Sequence, residues 1–340
     1  MDLPKYDGNI HPNEWIKDLR AYYSFKGNTT THHLNIQMAI LLVDSTIKLP
    51  TGINNIENLC DALKEDISFT IFKNTNKRKL QSLEYISERI GGDTSKFIST
   101  FRKLCYNAEL NDIEEQKRYL FKSLPNNHFD YISNEFYERM KNVNSIDELA
   151  KEFEDIVLEE SNLIRNGSIV ALKHVASGKY LSSISNLCYI TGSRNQMVCV
   201  GSSEPDPNSL WKINSSKELI TYTDIYVNLH LQHVKSNNYL ALSGCYSPST
   251  NHSEVICRGN AYYWDFKHSK LENHQGYLKS NDTINLYYSD NGYIQSRFLR
   301  SHDIQFTIGN DTFQEVVCHS ERLGGNDEWC IELIHEVKIF

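Results

Sequence analysis

No apolar run in this sequence approaches the roughly 20 residues that span a bilayer. The longest candidate, Met38-Ala-Ile-Leu-Leu-Val43, is broken by Asp44, so the chain reads as a soluble protein with no membrane partner. Positive charge is also in deficit. Lys and Arg total 35 against 43 Asp and Glu, a net −8, which argues against a general polyanion binder and makes nucleic acid an unpromising partner. Eight Cys at 60, 105, 188, 199, 245, 257, 318 and 330 include no Cys-x-x-Cys pair, so zinc knuckles and zinc fingers are not expected. The opening Met-Asp-Leu-Pro-Lys-Tyr-Asp-Gly has no apolar core or cleavage site of a secretory signal. A reducing, cytoplasmic setting follows as the expectation. There the thiols serve as small buried hydrophobes, and the sequons at Asn28, Asn166, Asn214, Asn251, Asn281 and Asn310 carry no weight.

What is present divides near residues 162–168. The 340 residues, 40% of them hydrophobic, suffice for two cores. Before the division the apolar spacing is helical. Trp15, Leu19 and Tyr22/Tyr23 recur at steps of three and four behind Pro12, a first-turn proline. Asp93 precedes Phe97, Phe101, Leu104, Cys105 and Ala108 on one helix face. Asp112 with Glu115, and Ser145 with Glu148, have capping-box spacing, and Pro125 stops a helix after Leu124. Residues 1–162 are therefore predicted to be all-helical, with seven or so helices in two lobes that break near 75–80. Arg165-Asn166-Gly167 is expected to end the last helix, with Gly167 at C′.

Beyond Gly167 short β-type runs alternate with Gly, Asn and Ser. This half repeats itself. Leu172-Lys-His174-Val-Ala-Ser-Gly-Lys-Tyr180-Leu181 aligns without gaps to Leu231-Gln-His233-Val-Lys-Ser-Asn-Asn-Tyr239-Leu240. Each copy continues to an apolar-Cys step (Val198-Cys199, Ile256-Cys257) and then a Trp, Trp211 or Trp264. A degenerate third copy runs through Leu286, Asn291-Gly292, Tyr293-Ile294, Val317-Cys318 and Trp329. One such unit cannot bury its apolar face, but three can close a barrel, so residues 165–340 are predicted to be a β-trefoil. The three Trp should then be buried at three-fold-related places, with Cys199, Cys257 and Cys318 at equivalent core positions.

The Leu-x-His-Val-x-Ser-Gly-Lys-Tyr-Leu segment, its second copy and the trailing Trp resemble MIR motifs, the β-trefoil repeats of protein O-mannosyltransferases and of inositol trisphosphate and ryanodine receptors. The resemblance implies a fold and a ligand- or partner-binding role rather than a reaction. The helical half resembles a retrotransposon Gag capsid segment. The residues that carry this are Tyr6-Asp-Gly8, Pro12-x-x-Trp15-Ile-x-x-Leu19, Leu80-x-Ser-Leu83, Phe97-Ile-x-x-Phe101-Arg-x-Leu104, Leu120-Phe-x-x-Leu124-Pro125 and Ser145-Ile-x-Glu-Leu149. That resemblance implies two helical lobes that self-associate. No Cys-Cys-His-Cys knuckle or basic tail follows, so RNA packaging is not implied.

His174 and His233 occupy equivalent places and could form a paired ligand site, but the third copy carries Tyr288 nearby, and the structural reading is preferred. Asp44-Ser-Thr46 lacks the Gly that an aspartic-protease turn requires. Lys77-Arg78-Lys79 reads as a solvated face. Glu321-Arg322-Leu-Gly-Gly325 and Gly91-Gly92 read as turns, and no Gly-x-Ser-x-Gly, His-Glu-x-x-His or P-loop is present. No catalytic residue, cofactor or metal ligand is therefore expected. The reading is a non-enzymatic binding and assembly protein. Its trefoil takes a glycan or a protein partner, helped by 12 Tyr and 9 His after residue 165. Its helical half forms homo-oligomers, with the Trp15–Tyr23 and Tyr131–Tyr137 stretches as candidate surfaces. The alternatives are a lectin-like trefoil with a purely structural helical extension, or an accessory to a carbohydrate-active enzyme.

Overall fold

The computed structural model describes residues 5–25, 36–125, 131–222, 229–247, 249–288, 296–308 and 310–334. The chain forms two compact units, Met1–Ser161 and Asn162–Phe340, helical first and β-rich second.

Eight α-helices are found among the described residues: α1 (Pro12–Phe25), α2 (Ile36–Leu41), α3 (Ile56–Glu65), α4 (Ile67–Gln81), α5 (Thr94–Asn107), α6 (Ile113–Lys122), α7 (Tyr131–Arg139) and α8 (Ile146–Ser161). Side-chain caps set their starts. Asn55 accepts from Asn58 N at 2.7 Å and Asp93 from Lys96 N at 2.8 Å, satisfying amides the first turn leaves free. Asp112 caps through Glu114 N at 3.2 Å rather than in a reciprocal box with Glu115. Ser145 accepts from Glu148 N, while the Glu148 carboxylate takes the N–H of Asn144, one residue before the expected position.

Trp15 and Leu19 are buried with Tyr6, Leu59 and Leu63 in one cluster. Phe97, Tyr85 and Phe153 form a ring triad with centroids 5.1–5.7 Å apart, and Phe101, Leu104 and Leu124 are buried too. No break falls at 75–80. Those residues lie inside α4, where Asn76 and Leu80 are buried, and the chain turns only at Ser82. Arg78 and Lys79 occupy the last turn of that helix, where its dipole favours cations.

The β unit has twelve strands among the described residues, four per sequence repeat. The first unit is β1 (Ile169–His174), β2 (Leu181–Ile184), β3 (Gln196–Val200) and β4 (Leu210–Asn214). The second is β5 (His230–His233), β6 (Tyr239–Tyr246), β7 (Ser253–Arg258) and β8 (Asp265–His268). The third is β9 (Asp282–Tyr288), β10 (Arg297–Ile308), β11 (Asp311–His319) and β12 (Trp329–Leu333). The outer strands of each unit close a ring: β1–β4, β4–β5, β8–β9, β9–β12 and β12–β1 pair antiparallel, and the Leu229–Trp264 bridge completes it. The inner hairpins β2–β3, β6–β7 and β10–β11 join one another through β3–β7, β7–β11 and β11–β3.

Three recurring bonds lock the core. Trp211 Nε1 donates to Leu181 O (2.9 Å), Trp264 Nε1 to Leu240 O (2.8 Å) and Trp329 Nε1 to Leu299 O (3.1 Å), and all three indoles have no exposed surface. Each indole thus buries its large apolar face and still satisfies its N–H. The register corrects one expectation. Leu181 faces Val200, whereas Leu240 faces Cys257 and Leu299 faces Cys318. Val200, Cys257 and Cys318 are therefore the equivalents, and Cys199 points to the opposite side of the sheet, against Met197 and Phe313. A one-residue offset in a strand reverses every side chain.

The junction between the units also differs from expectation. α8 ends at Ser161, and Gly167 is not its C′ residue. Leu163 bridges Lys279, and Ile164 is fully buried in the β core, bonding through its N–H to Leu278 O. Gly167 lies beyond these contacts at φ +85, with its N–H on Ile213 O.

Candidate functional site

The repeat-signature residues are scaffold in position. Leu172 pairs with Ile331, Leu231 with Ile213 and Leu286 with Phe266, all in the barrel core. Tyr180 donates to the Glu332 carboxylate at 2.7 Å. Tyr239 opens β6 opposite Gln232, with His230 edge-on to its ring. Asn291, Gly292, Tyr293 and Ile294 of the third copy lie outside the described residues.

His174 and His233 sit at matching places but do not meet in one site. His174 pairs across the sheet with Trp329, and His233 with Trp211. A carbonyl can only accept, so His174 Nε2 donates to Asn326 O (3.1 Å) and His233 Nε2 to Asn208 O (3.0 Å). Nδ1 then accepts from Ser177 Oγ (2.9 Å) and Ser236 Oγ (2.8 Å) respectively. Burial lowers both imidazole pKa values. The turns that follow need left-handed backbone, supplied by Gly178 (φ +69) in one copy and by Asn237 (φ +57), a tolerant residue, in the other. Continuing the β8–β9 register by one residue beyond Asp265–Tyr287 sets Tyr288 in the third equivalent place, where its ring packs on Tyr262 with centroids 4.6 Å apart.

Asp44 holds a local turn, accepting from Thr46 N and Oγ1 at 2.9 and 2.6 Å, on the exposed surface. Among the described residues no group of three or more His, Cys, Asp or Glu is placed to hold a metal ion.

One cavity of the β unit was not legible as a motif. A cleft of about 570 Å³ opens beside the β8–β9 ladder, inside the range of small-molecule sites. One wall is a cluster of rings, Tyr222 from the connection that enters β5, His268 from the end of β8 and His274 from the connection that enters β9. Tyr222 lies 4.7 Å from His274 and 5.7 Å from His268, which is 5.4 Å from His274. Tyr222 Oη donates to Asp282 Oδ2 at 2.8 Å. Burial, then the Asp282 charge, pushes its phenol far above the ordinary value, so it stays protonated. His268 Nδ1 accepts from the backbone N–H groups of Lys270 and Leu271 (3.2 and 3.1 Å), which fixes the ring. Burial lowers its pKa despite the pull of Asp282.

The opposite wall comes from Leu323, Gly324 and Glu328, with Asn285 and Lys267 contributed by the ladder itself. A buried ionic knot holds that wall. Asp327, with no exposed surface, accepts from Arg300 Nε (2.7 Å) and Nη2 (2.9 Å), His319 Nε2 (2.8 Å) and Gly324 N (2.7 Å). Burial alone would raise its pKa, but these donors outweigh it and hold the carboxyl far below the usual carboxylate range. Asn285 Nδ2 donates to Asp327 O at 2.9 Å, tying β9 to the same wall. His319 resembles half of an Asp–His dyad, but its Nδ1 accepts from Glu321 N (3.0 Å). Both ring nitrogens are therefore spent on backbone or carboxylate, leaving none to activate a nucleophile. The Glu321–Gly325 stretch, read from sequence as a plain turn, thus carries a wall of the cleft.

The sequence matches no protein-family model and no curated protein. Solved structures similar to this chain include an SDF2-like protein from Arabidopsis thaliana, at 23% identity over 50% of this chain and 94% of that one, with a TM-score of 0.44. A Caenorhabditis elegans protein with unknown function is similar at 20% identity, 51% and 97% coverage and a TM-score of 0.43. A Macrolepiota procera ricin B-like lectin in complex with lactose is similar at 13% identity, 50% and 97% coverage and a TM-score of 0.32.

Proposed function

We propose that the chain is a non-enzymatic binding and assembly protein of the cytoplasm, in which a MIR-type β-trefoil presents a ligand cleft and a Gag-capsid-like helical unit self-associates. One observation carries the binding role. The cleft is walled by rings and polar side chains, while the ionic groups beneath it are saturated by scaffold bonds. Such a site can hold a ligand. The six-strand ring capped by three hairpins, with its thrice-repeated indole bond, supports the trefoil reading.

Support for self-association is narrower than the sequence implies. Trp15, Leu19, Tyr22, Tyr131, Ile132 and Phe136 are buried largely within the helical unit itself. Exposed apolar groups of the helical unit include Tyr137 (71%) and Phe121 (48%), which line a groove of about 460 Å³ with Phe136 and Met140. The burial of the other aromatics favours a second reading, in which the helical unit is purely structural. Sedimentation of the full chain across a concentration series separates the two. A mass that stays at the 39.4 kDa of one chain at every concentration removes the assembly role. Thermal-shift screening of the same protein against glycans and peptides tests the binding role, and a complete lack of response removes it.

A further inference from the structure

We infer that the cleft lined by Tyr222, His268, His274, Asn285 and Glu328 takes an uncharged saccharide. The inference rests on the binding-module reading above and names the ligand class of that site.

The lining chemistry favours a neutral polyol over charged alternatives. Lys267, Glu272 and Glu328 all line the cleft, so charges of both signs stand around it. A phosphate, sulfate or sialate would have to desolvate against two carboxylates, and a basic peptide against Lys267. Sugar hydroxyls both donate and accept, so one ring can bond the ammonium, the Asn285 amide and the carboxylates together. Ser269 Oγ, in the same wall, is buried without a hydrogen-bond partner in the protein. A change of its rotamer would let a ligand oxygen satisfy it.

The ring wall supplies the apolar part. A pyranose has an apolar C–H face that packs on aromatic side chains, and three rings within 5.7 Å of one another, inclined at 58–65°, offer ring faces and edges to it. Bonds to Asp282 and to backbone amides fix Tyr222 and His268 before any ligand arrives, so little side-chain freedom is lost on binding.

Gly324 provides a clean block. Its φ is −148, an extended backbone open to any residue, and an added Cβ would meet nothing within 4 Å. Gly324→Trp therefore places a large side chain at the cleft wall with a backbone conformation and Cβ position it can adopt, and its N–H remains available to Asp327. His274→Ala removes one ring from the wall.

The test is saturation-transfer NMR on the full chain and on both variants, with far-UV circular dichroism and thermal melts confirming that each is folded. The neutral probes are methyl mannoside, lactose, maltose and chitobiose. The charged probes are sialyllactose, glucose 6-phosphate, and lysine-rich and glutamate-rich peptides. At least one neutral sugar should bind, and Gly324→Trp and His274→Ala should each weaken it about tenfold or more. Neutral-sugar binding that survives Gly324→Trp overturns the inference. If only charged probes bind, and Gly324→Trp abolishes that binding, the cleft remains a binding site and the saccharide assignment is wrong. If no probe binds, the saccharide assignment falls and the binding-module reading falls with it.

Discussion

His174 and Asn326 are joined across the seam between the first and third β units, the imidazole Nε2 donating to the backbone carbonyl at 3.1 Å. His233 makes the same bond to Asn208 across the seam between the second and first units. The third seam has Tyr288 packed on Tyr262 instead. The sequence repeat thus marks two histidine clips rather than a metal pair.

Replacing either clip with alanine should cost about 2–3 kcal/mol, because a buried carbonyl loses its donor and a cavity opens. Both histidines are held neutral by burial, with folded pKa values below the ordinary 6.5. The unfolded chain then binds protons that the folded chain refuses. Stability should be full above about pH 6.5 and fall as the pH drops from there through the folded values. Urea titrations of the wild type and of the His174→Gln, His233→Gln double variant check this. The pH slope between 6.5 and 5 should shrink in the variant, and an unchanged slope refutes the assignment.

Asp327 behaves with the opposite sign. Its pKa is depressed in the fold, so its contribution is present above its ordinary 3.8 and lost as the pH falls below that. Arg300→Met leaves a buried carboxylate short of donors and should cost about 3–5 kcal/mol. Thermal melts at neutral pH measure the cost. Hydrogen exchange at Gly324 and Glu328 should rise in the variant, because the cleft wall loses its tether.

Thiol reactivity reports the core independently. Cys188 and Cys245 are exposed, whereas burial raises the Cys199 thiol to about 12 and the Cys257 thiol to about 11. In native buffer a maleimide should label Cys188 and Cys245 within minutes and leave Cys199, Cys257 and Cys318 unlabelled. Peptide mapping gives the order. Early labelling at Cys257 or Cys318 would contradict the barrel packing.

The helical groove makes its own prediction. If the full chain sediments as an oligomer, Tyr137→Glu and Phe121→Glu should each return it to monomer, because an apolar face cannot pack over a buried carboxylate. Equal mass in wild type and variants would place the contact elsewhere.

The legible parts of the fold were those where one side chain does one job at every copy. Trp211, Trp264 and Trp329 recur because each must bury an indole and satisfy its N–H, so their spacing exposed the three units. Cys199 misled because an apolar-Cys step looks the same in either strand phase, and only the pairing of Leu181 with Val200 fixes the face. The absence of a lobe break at 75–80 was hidden too. Polar residues along that stretch suit a surface helix as well as a loop, and only Asn76 and Leu80 turn inward. The cleft was illegible for a different reason. Tyr222, His268, His274, Asn285 and Gly324 come from separate stretches of chain and converge only when the ring closes. A local signal existed at Asn285, which stands where the first unit has Ala171 and the second His230, but a departure from a repeat does not state its purpose.

The ring closes by pairing β1 with β12, from Val170–Leu333 to His174–Trp329. The first strand of the β unit therefore waits for the last one to leave the ribosome before it gains that partner. Contacts of such long sequence separation are slow to form, so a nascent chain holds Leu172 and its neighbours uncovered while the other two units are translated. The helical unit has no such debt, since its helices meet partners made before residue 162. Every helix is thus synthesised well before the ring can close, and that interval is the time in which a chaperone would matter most.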